Sequence, residues 1–438
     1  MVYARHLRTR LLMVGVVCPL LSLFCLADSH ARVVRLSDVQ GSVEIARNTG
    51  QGYEKAFLNL PLTQGTKIRT QDGGDAAIEF EDGSTVRLAP QSEIDVSELS
   101  LSDSGTKVSG IHLQEGTAYV TFFGSRGDAL DITFGREKVS FRQAAHARIV
   151  LGDVDASVSV YKGEVEVAGP KGDVEVAKNH TANFDLIDDH YSLANNIEQY
   201  PFDTWDKQES KYQERYTDAT YSNYSPYAYG TSDLSYYGSF FTVPGYGMMW
   251  QPYFVGAGWD PFMNGAWAFY PGVGYGWVSA YPWGWTPYHY GSWAFVPGYG
   301  WAWQPGGAWM GWNTMPVILN PPAGFAAPRP PTLPGQRIYP INRGPVPTAS
   351  GHKVQIANNS AGLGIARGSI RNLGALSHTV EQKGFVTTKV HSSAPMTAYS
   401  GWGRGGAGPV GRVGTIGRSG SSSIGHSVGG AHGSVGHH

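Results

Sequence analysis

The chain has 438 residues, enough for two or three domains, but 58 glycines and 26 prolines exclude an ordinary globular core over much of its length. The formal net charge of −2 hides a division: 22 Lys and Arg stand against 34 Asp and Glu through residue 260, and 11 against the single Glu381 from 261 onward. This acidic front and basic back give the tail two outlets, anionic polymers outside the cytoplasm or the chain's own front half, and no nucleic-acid partner is expected.

Arg5, Arg8 and Arg10 precede an uncharged apolar run from Leu11 to Leu26, and Ser29-His30-Ala31 supplies small residues for cleavage. The run is short for a membrane span, so 1–31 reads as a signal peptide, with membrane attachment only if it stays uncleaved. Cleavage after Ala31 removes Cys18 and Cys25, leaving no thiol, disulfide or cysteine-ligated metal in the mature chain.

Residues 32–187 read as short strands between Gly and Asp turns. In Asp75–Pro90, Ala76, Ile78 and Phe80 alternate with Ala77, Glu79 and Glu81, and Val86 and Leu88 resume the pattern. A two-residue Asp82-Gly83 turn would throw Val86 and Leu88 onto the wet face. A three-residue Glu81-Asp82-Gly83 loop with Gly83 left-handed instead pairs Ile78 with Val86 and Ala76 with Leu88, and leaves Glu79 and Glu81 on the solvent side. Further on, an even Lys162-Gly163 loop sets Val158 and Val160 opposite Val167 and Val165. A Gly169–Gly172 loop then sets Val167 opposite Val174 and Val165 opposite Val176, predicting a three-strand meander.

The order GSVEI, LTQGTKIRTQDGGDAAIEFEDGSTVRLAPQSEI, LQEGTAYV and DASVSVYKGEVEV, over about a third of the chain, resembles the FecR domain, the periplasmic module of bacterial transmembrane signalling regulators. The resemblance implies a twisted, solenoid-like antiparallel β domain. Where the family commonly has an R-G-T-like turn, this chain has Ala144-Ala145-His146-Ala147. Typical members carry a cytoplasmic anti-sigma segment and a membrane helix ahead of the domain; a signal peptide stands there instead, so direct control of a sigma factor is not expected.

Residues 188–237 form a linker with one helix at about 202–217, capped by Asp203, with Trp205, Tyr212 and Tyr216 near one stripe and a solvated polar face. From 238 to 315, GSFFTVP, GAWAFYP and GSWAFVP begin at Gly238, Gly265 and Gly291, each continuing into Gly-Tyr-Gly (Tyr246, Tyr275, Tyr299) and an aromatic strand. Eleven of the thirteen tryptophans fall between Trp250 and Trp312, and such units, too small to bury their own faces, predict a stacked aromatic β repeat. With FDTW and PWGWTPYHYGSW, this region is similar to an aromatic-rich module that follows FecR domains in some bacterial secreted proteins. The Pro-, Gly- and Ser-rich basic stretch 316–438 reads as a disordered tail with a transient strand near Gly384–Val390.

No H-E-x-x-H helix or spaced calcium loop is present, so neither enzyme, cofactor nor metal is expected. The tail histidines His426, His432, His437 and His438 have no preorganised metal geometry. The chain thus reads as a mainly β, non-enzymatic periplasmic or extracellular scaffold that offers strand edges to an envelope protein partner. The alternative is glycan binding by Trp283, Trp285, Tyr288, His289, Tyr290 and Trp293, set against the reading of these rings as core.

Overall fold

The computed structural model describes residues 32–124, 127–217, 224–332, 335, 337–344, 349–350, 353–384 and 386–389; the expected leader 1–31 and the four tail histidines lie outside them. Every element below belongs to the unit Met1–Thr397.

The front half steps back and forth between two β layers. Its strands are β1 (Val34–Gln40), β2 (Val43–Ala46), β3 (Glu54–Lys55), β4 (Pro61–Leu62), β5 (Lys67–Thr70), β6 (Asp75–Glu79), β7 (Thr85–Leu88) and β8 (Ser92–Leu101). They continue through β9 (Lys107–Phe122), β10 (Ala129–Phe134), β11 (Glu137–Phe141), β12 (Ala145–Leu151), β13 (Asp155–Lys162), β14 (Glu164–Gly169), β15 (Gly172–Ala177), β16 (Thr181–Asp185) and β17 (His190–Ala194). One layer runs β4-β1-β6-β7-β9-β12-β13-β16-β17. The other runs β3-β2-β5-β8-β9-β10-β11-β14-β15. β9 serves both layers because it bends at Gly116, where a Cβ would sit 2.3 Å from the Gln91 carbonyl oxygen.

Glycine makes the steps between layers sharp enough. The β1–β2 and β5–β6 corners lie on each other: a Cβ on Gly41 would be 2.2 Å from the Gly73 carbonyl oxygen, and one on Gly74 2.2 Å from that of Ser42. Between these corners the strands alternate, so their apolar rows meet. Leu36, Ile78, Val86, Val120, Ala147 and Val160 align across one layer, and Val96, Ile111, Ile132, Val139, Val167 and Val174 across the other. All are buried in one core, each large aliphatic contributing about 1.5–3 kcal/mol.

The β6–β7 register is Ile78 to Val86 and Ala76 to Leu88, around a loop in which Gly83 has φ 87°. The predicted meander is corrected at its first link. β13 pairs with β12 and β16, and β14 with β11 and β15, so Val158 and Val160 do not face Val167 and Val165. Lys162-Gly163 is a corner between layers, not a hairpin turn: Gly163 has φ 74°, and a Cβ there would be 2.3 Å from the Ala144 carbonyl oxygen. The β14–β15 register, Val165 to Val176 and Val167 to Val174, is as the parity requires.

Helix α1 (Asp203–Tyr216) lies on the outward face of the first layer, and α2 (Thr231–Tyr237) leads into three hairpins of one design. These are β18 (Gly238–Val243) with β19 (Gly247–Pro252), β20 (Asn264–Tyr270) with β21 (Gly274–Ser279), and, after α3 (Thr286–His289), β22 (Tyr290–Val296) with β23 (Gly300–Trp309). Each sets a ring pair at the same place: Phe240 opposite Trp250, Trp267 opposite Trp277, Trp293 opposite Trp303. The glycine opening the first two hairpins lies under the partner indole; a Cβ on Gly238 or Gly265 would come within 2.4 or 2.3 Å of Cζ2 of Trp250 or Trp277. The second hairpin turns at Val273, so the position matching Tyr246 and Tyr299 is Val273 and not Tyr275.

The hairpins do not form one stack. The first and third join through Trp250 and Trp303, and β24 (Val317–Leu319) adds to that sheet, while the second pairs with β25 (Tyr339–Asn342). Rings from all three form a common cluster. The span expected to begin a disordered tail at 316 also supplies β26 (Ala349–Ser350), β27 (Lys353–Ile356), α4 (Leu373–Lys383) and β28 (Val386–Lys389). Ile356, Ala361, Leu363, Ile365, Leu373 and Val380 cover the ring cluster. Ala361, Leu363 and Ile365 alternate with glycines yet form no strand, and Leu373 and Val380 are two apolar positions seven apart on a short helix, too few to mark it in so glycine-rich a stretch.

Gly265→Ala is expected to destabilise the chain by about 1–3 kcal/mol through overpacking against Trp277, whereas Gly258→Ala, with its nearest neighbour 4.0 Å away, stays near neutral. Denaturant unfolding followed by tryptophan fluorescence separates the two.

Candidate functional site

The ring patch expected to face a ligand is inside. Trp283, Trp285, Tyr288, His289 and Trp293 are buried and Tyr290 is half-buried. Trp283 stacks on Tyr281 at 4.9 Å with an interplanar angle of 8°, meets Trp250 at 4.9 Å, and donates its indole N–H to the Ala361 carbonyl at 2.7 Å. Burial pulls His289 down to about 4, so it is neutral, with Nδ1 3.2 Å from the Gly311 carbonyl oxygen. Of the two readings of this patch, burial of these five matches the one in which the rings supply the core that a glycine-rich segment lacks in Leu and Ile; of the six residues expected at a glycan contact, Tyr290 alone keeps partial exposure.

A second correction concerns the charges. Strand parity does turn Glu79 and Glu81 away from the aliphatic core, but that other face is covered rather than wet. Arg35 is fully buried: it meets Glu79 at 2.9 Å and Asp233 of α2 at 2.7 Å, and donates to Asn59 at 2.9 Å and the Pro282 carbonyl at 2.7 Å. Asp233 also takes Arg367 at 3.0 Å and the Tyr212 hydroxyl at 3.0 Å, and Glu81 takes Arg32 at 2.9 Å.

Helix α1 presents its polar side to the same face. Asp206 meets Arg87 and His146 Nε2, each at 2.8 Å, and Asp203 accepts from Arg148 at 2.7 Å and from the Tyr119 and Tyr161 hydroxyls at 2.9 Å. Asp203 is thus committed to the sheet; Phe202 holds the N-cap position and no side chain caps the helix. The polar stripe Asp206, Glu209, Gln213, read as solvated, is buried.

Burial raises Glu79 despite Arg35 beside it. Burial would also raise Asp233 and Asp206, but Arg367 and Arg35 hold the first below its ordinary value, and His146 and Arg87 the second. Asp75 is different: burial first, then Asp38 and Glu209, push it up to about 8.

The two ends of the β sandwich are treated differently. At β3 and β4 the aromatic region closes the edge: Tyr270 donates to the Pro61 carbonyl at 2.9 Å, the Ile338 N–H to Glu54 at 3.1 Å, and Arg47 to the Phe269 carbonyl. At the other end β15 and β17 have no further strand partner among the described residues. There Val154, Ile187 and Leu193 are 52%, 70% and 51% exposed. β15 carries Asp173 and Glu175, charges that discourage a pairing strand, whereas β17, His-Tyr-Ser-Leu-Ala, has neither acid, lysine nor proline.

Among the described residues no group of three His, Cys, Asp or Glu is placed to hold a metal, and no helix is long and apolar enough to cross a membrane. The architecture defines a mainly β chain in which a two-layer sandwich is joined to an aromatic module through a buried polar face. In keeping with this, residues 66–166 match the FecR protein family and residues 231–319 a family of unknown function (DUF6600). Two crystal structures of a candidate anti-sigma factor from Parabacteroides distasonis ATCC 8503, at 1.65 and 2.50 Å, are similar at 19% and 18% identity, each with a TM-score of 0.27. The match covers 30% of this chain and 59% of theirs. No curated protein matches the chain.

Asp233→Ala removes the carboxylate that Arg35 and Arg367 share, leaving Arg35 with Glu79 alone and Arg367 with the more distant Glu209, and is expected to cost about 3–5 kcal/mol, measured by denaturant unfolding. For Asp75 the folded value lies above the ordinary 3.8, so folding favours the protonated form. Its contribution is full below about pH 4 and is lost as pH rises toward 8. Asp75→Asn is therefore expected to flatten the decline of melting temperature between pH 5 and 8; an unchanged decline counts against this assignment.

Proposed function

We propose that this chain is a non-enzymatic protein-interaction scaffold in envelope signalling or assembly, working in the periplasm or outside the cell. The observation that carries the reading is the asymmetry of the sandwich: one end is closed by the chain's own aromatic module, and the other offers an uncharged edge strand, β17, beside the exposed Ile187 and Leu193. Unpaired edges are normally blunted by charge or proline, so an unblunted one suits addition of a partner's strand. The FecR match and the charged, then apolar, N-terminus support the envelope setting.

The test uses the full chain as bait for envelope extract, beside Leu193→Lys, which places a charge on the edge, and Val273→Lys in an aromatic-module turn. A partner held by the parent chain and by Val273→Lys but lost with Leu193→Lys supports the proposal. Equal capture by both variants, or background binding alone, removes it.

A further inference from the structure

A cleft of about 560 Å³ opens between α1 and the β9–β12–β13 corner, away from the β17 edge. His146 and Tyr161 line it as a ring pair, centroids 5.2 Å apart and tilted by 39°. Their polar atoms are already engaged: His146 Nδ1 with the Thr121 hydroxyl at 2.8 Å, its Nε2 with Asp206, and the Tyr161 hydroxyl with Arg148 and Asp203. What the two rings have left to offer the cleft is carbon. Phe123, 44% exposed, adds a third ring to the wall.

The rim has the opposite character. Lys207 and Lys211, four residues apart on α1, lie on one side of the helix, and Lys162 stands at the end of β13. All three are exposed, and none forms an ion pair among the described residues. Like charges at this spacing repel by about 0.2–0.5 kcal/mol. Of the carboxylates lining the cleft, Asp203 and Asp206 are bound to Arg148 and Arg87, which leaves Glu214 against three lysines.

We infer that this cleft binds a small amphiphilic anion, an aromatic or acyl body lying on Phe123, His146 and Tyr161 with one carboxylate, sulfonate or phosphate group held by Lys162, Lys207 and Lys211. The apolar walls supply area to be desolvated, and the unneutralised lysines select for negative charge.

The probe is 1-anilinonaphthalene-8-sulfonate, titrated by fluorescence into the full chain, with submicellar dodecyl sulfate and neutral dodecyl maltoside as competitors. Saturable binding at one dominant site is expected, displaced by the sulfate and not by the maltoside. The double variant Lys207→Glu/Lys211→Glu weakens it by at least about tenfold, equivalent to about 1.4 kcal/mol, with an unchanged melting curve because both side chains are exposed. Phe123→Ala, tested separately, weakens it as well. Affinity unmoved by the lysine changes, equal displacement by the neutral detergent, or no saturable binding each overturns the inference.

Discussion

Everything in this molecule leans on the decision to bury the polar face of one β layer. Arg35, with no exposed surface, ties β1 to Glu79 on β6, to Asp233 on α2 and to the Pro282 carbonyl ahead of α3. Arg367, from far along the chain, closes on the same Asp233. Three chain segments remote in sequence, carrying Arg35, Asp233 and Arg367, meet at one carboxylate. Aliphatic packing alone would let the layers and the ring cluster slide on each other; directional bonds to buried charges set a single arrangement. Such pairs add little net stability over a hydrophobic substitute, since desolvation offsets attraction. Their value here is in fixing position.

This also explains why α1 can be so sparingly apolar. Its tyrosines and Trp205 cover part of the interface, and Asp203, Asp206 and Gln213 reach donors that the strands hold out to them. Tyr119 and Tyr161 act as intermediates, each placing a ring against the layer and a hydroxyl on Asp203. The helix is in effect a polar lid complementary to a polar sheet.

Much of the fold was legible because it is local. Alternation located the strands, parity located Gly83 in its loop, and the recurring Gly-Ser-Phe and Gly-Ala/Ser-Trp openings marked hairpins whose glycine lies beneath an indole. What alternation cannot report is what covers the second face of a strand. Glu79, Arg87 and Arg148 occupy outward positions indistinguishable from solvated ones until α1 and α2 arrive, and the partners these helices bring, the Gly230 N–H, Asp206 and Asp203, are 151, 119 and 55 residues away. The same blindness left Trp283 and Trp293 between two readings, since a ring-rich run reads alike as groove or core. The β13–β14 corner was missed for a different reason: Lys162-Gly163 has the composition of a hairpin turn, and only the Ala144 carbonyl beside Gly163 shows that the chain is changing layers.

The inequality of the sandwich's two ends has a consequence for how chains of this architecture can diverge. Extra strands added beyond β4 would collide with Tyr270 and its neighbours, whereas a strand laid beside β17 would meet no covering element among the described residues, and one beside β15 would meet Asp173 and Glu175. Room for a further coil is therefore left on the carboxyl side of the sandwich, just ahead of the segment leading into α1, and not at the amino-terminal end, where the aromatic module stands.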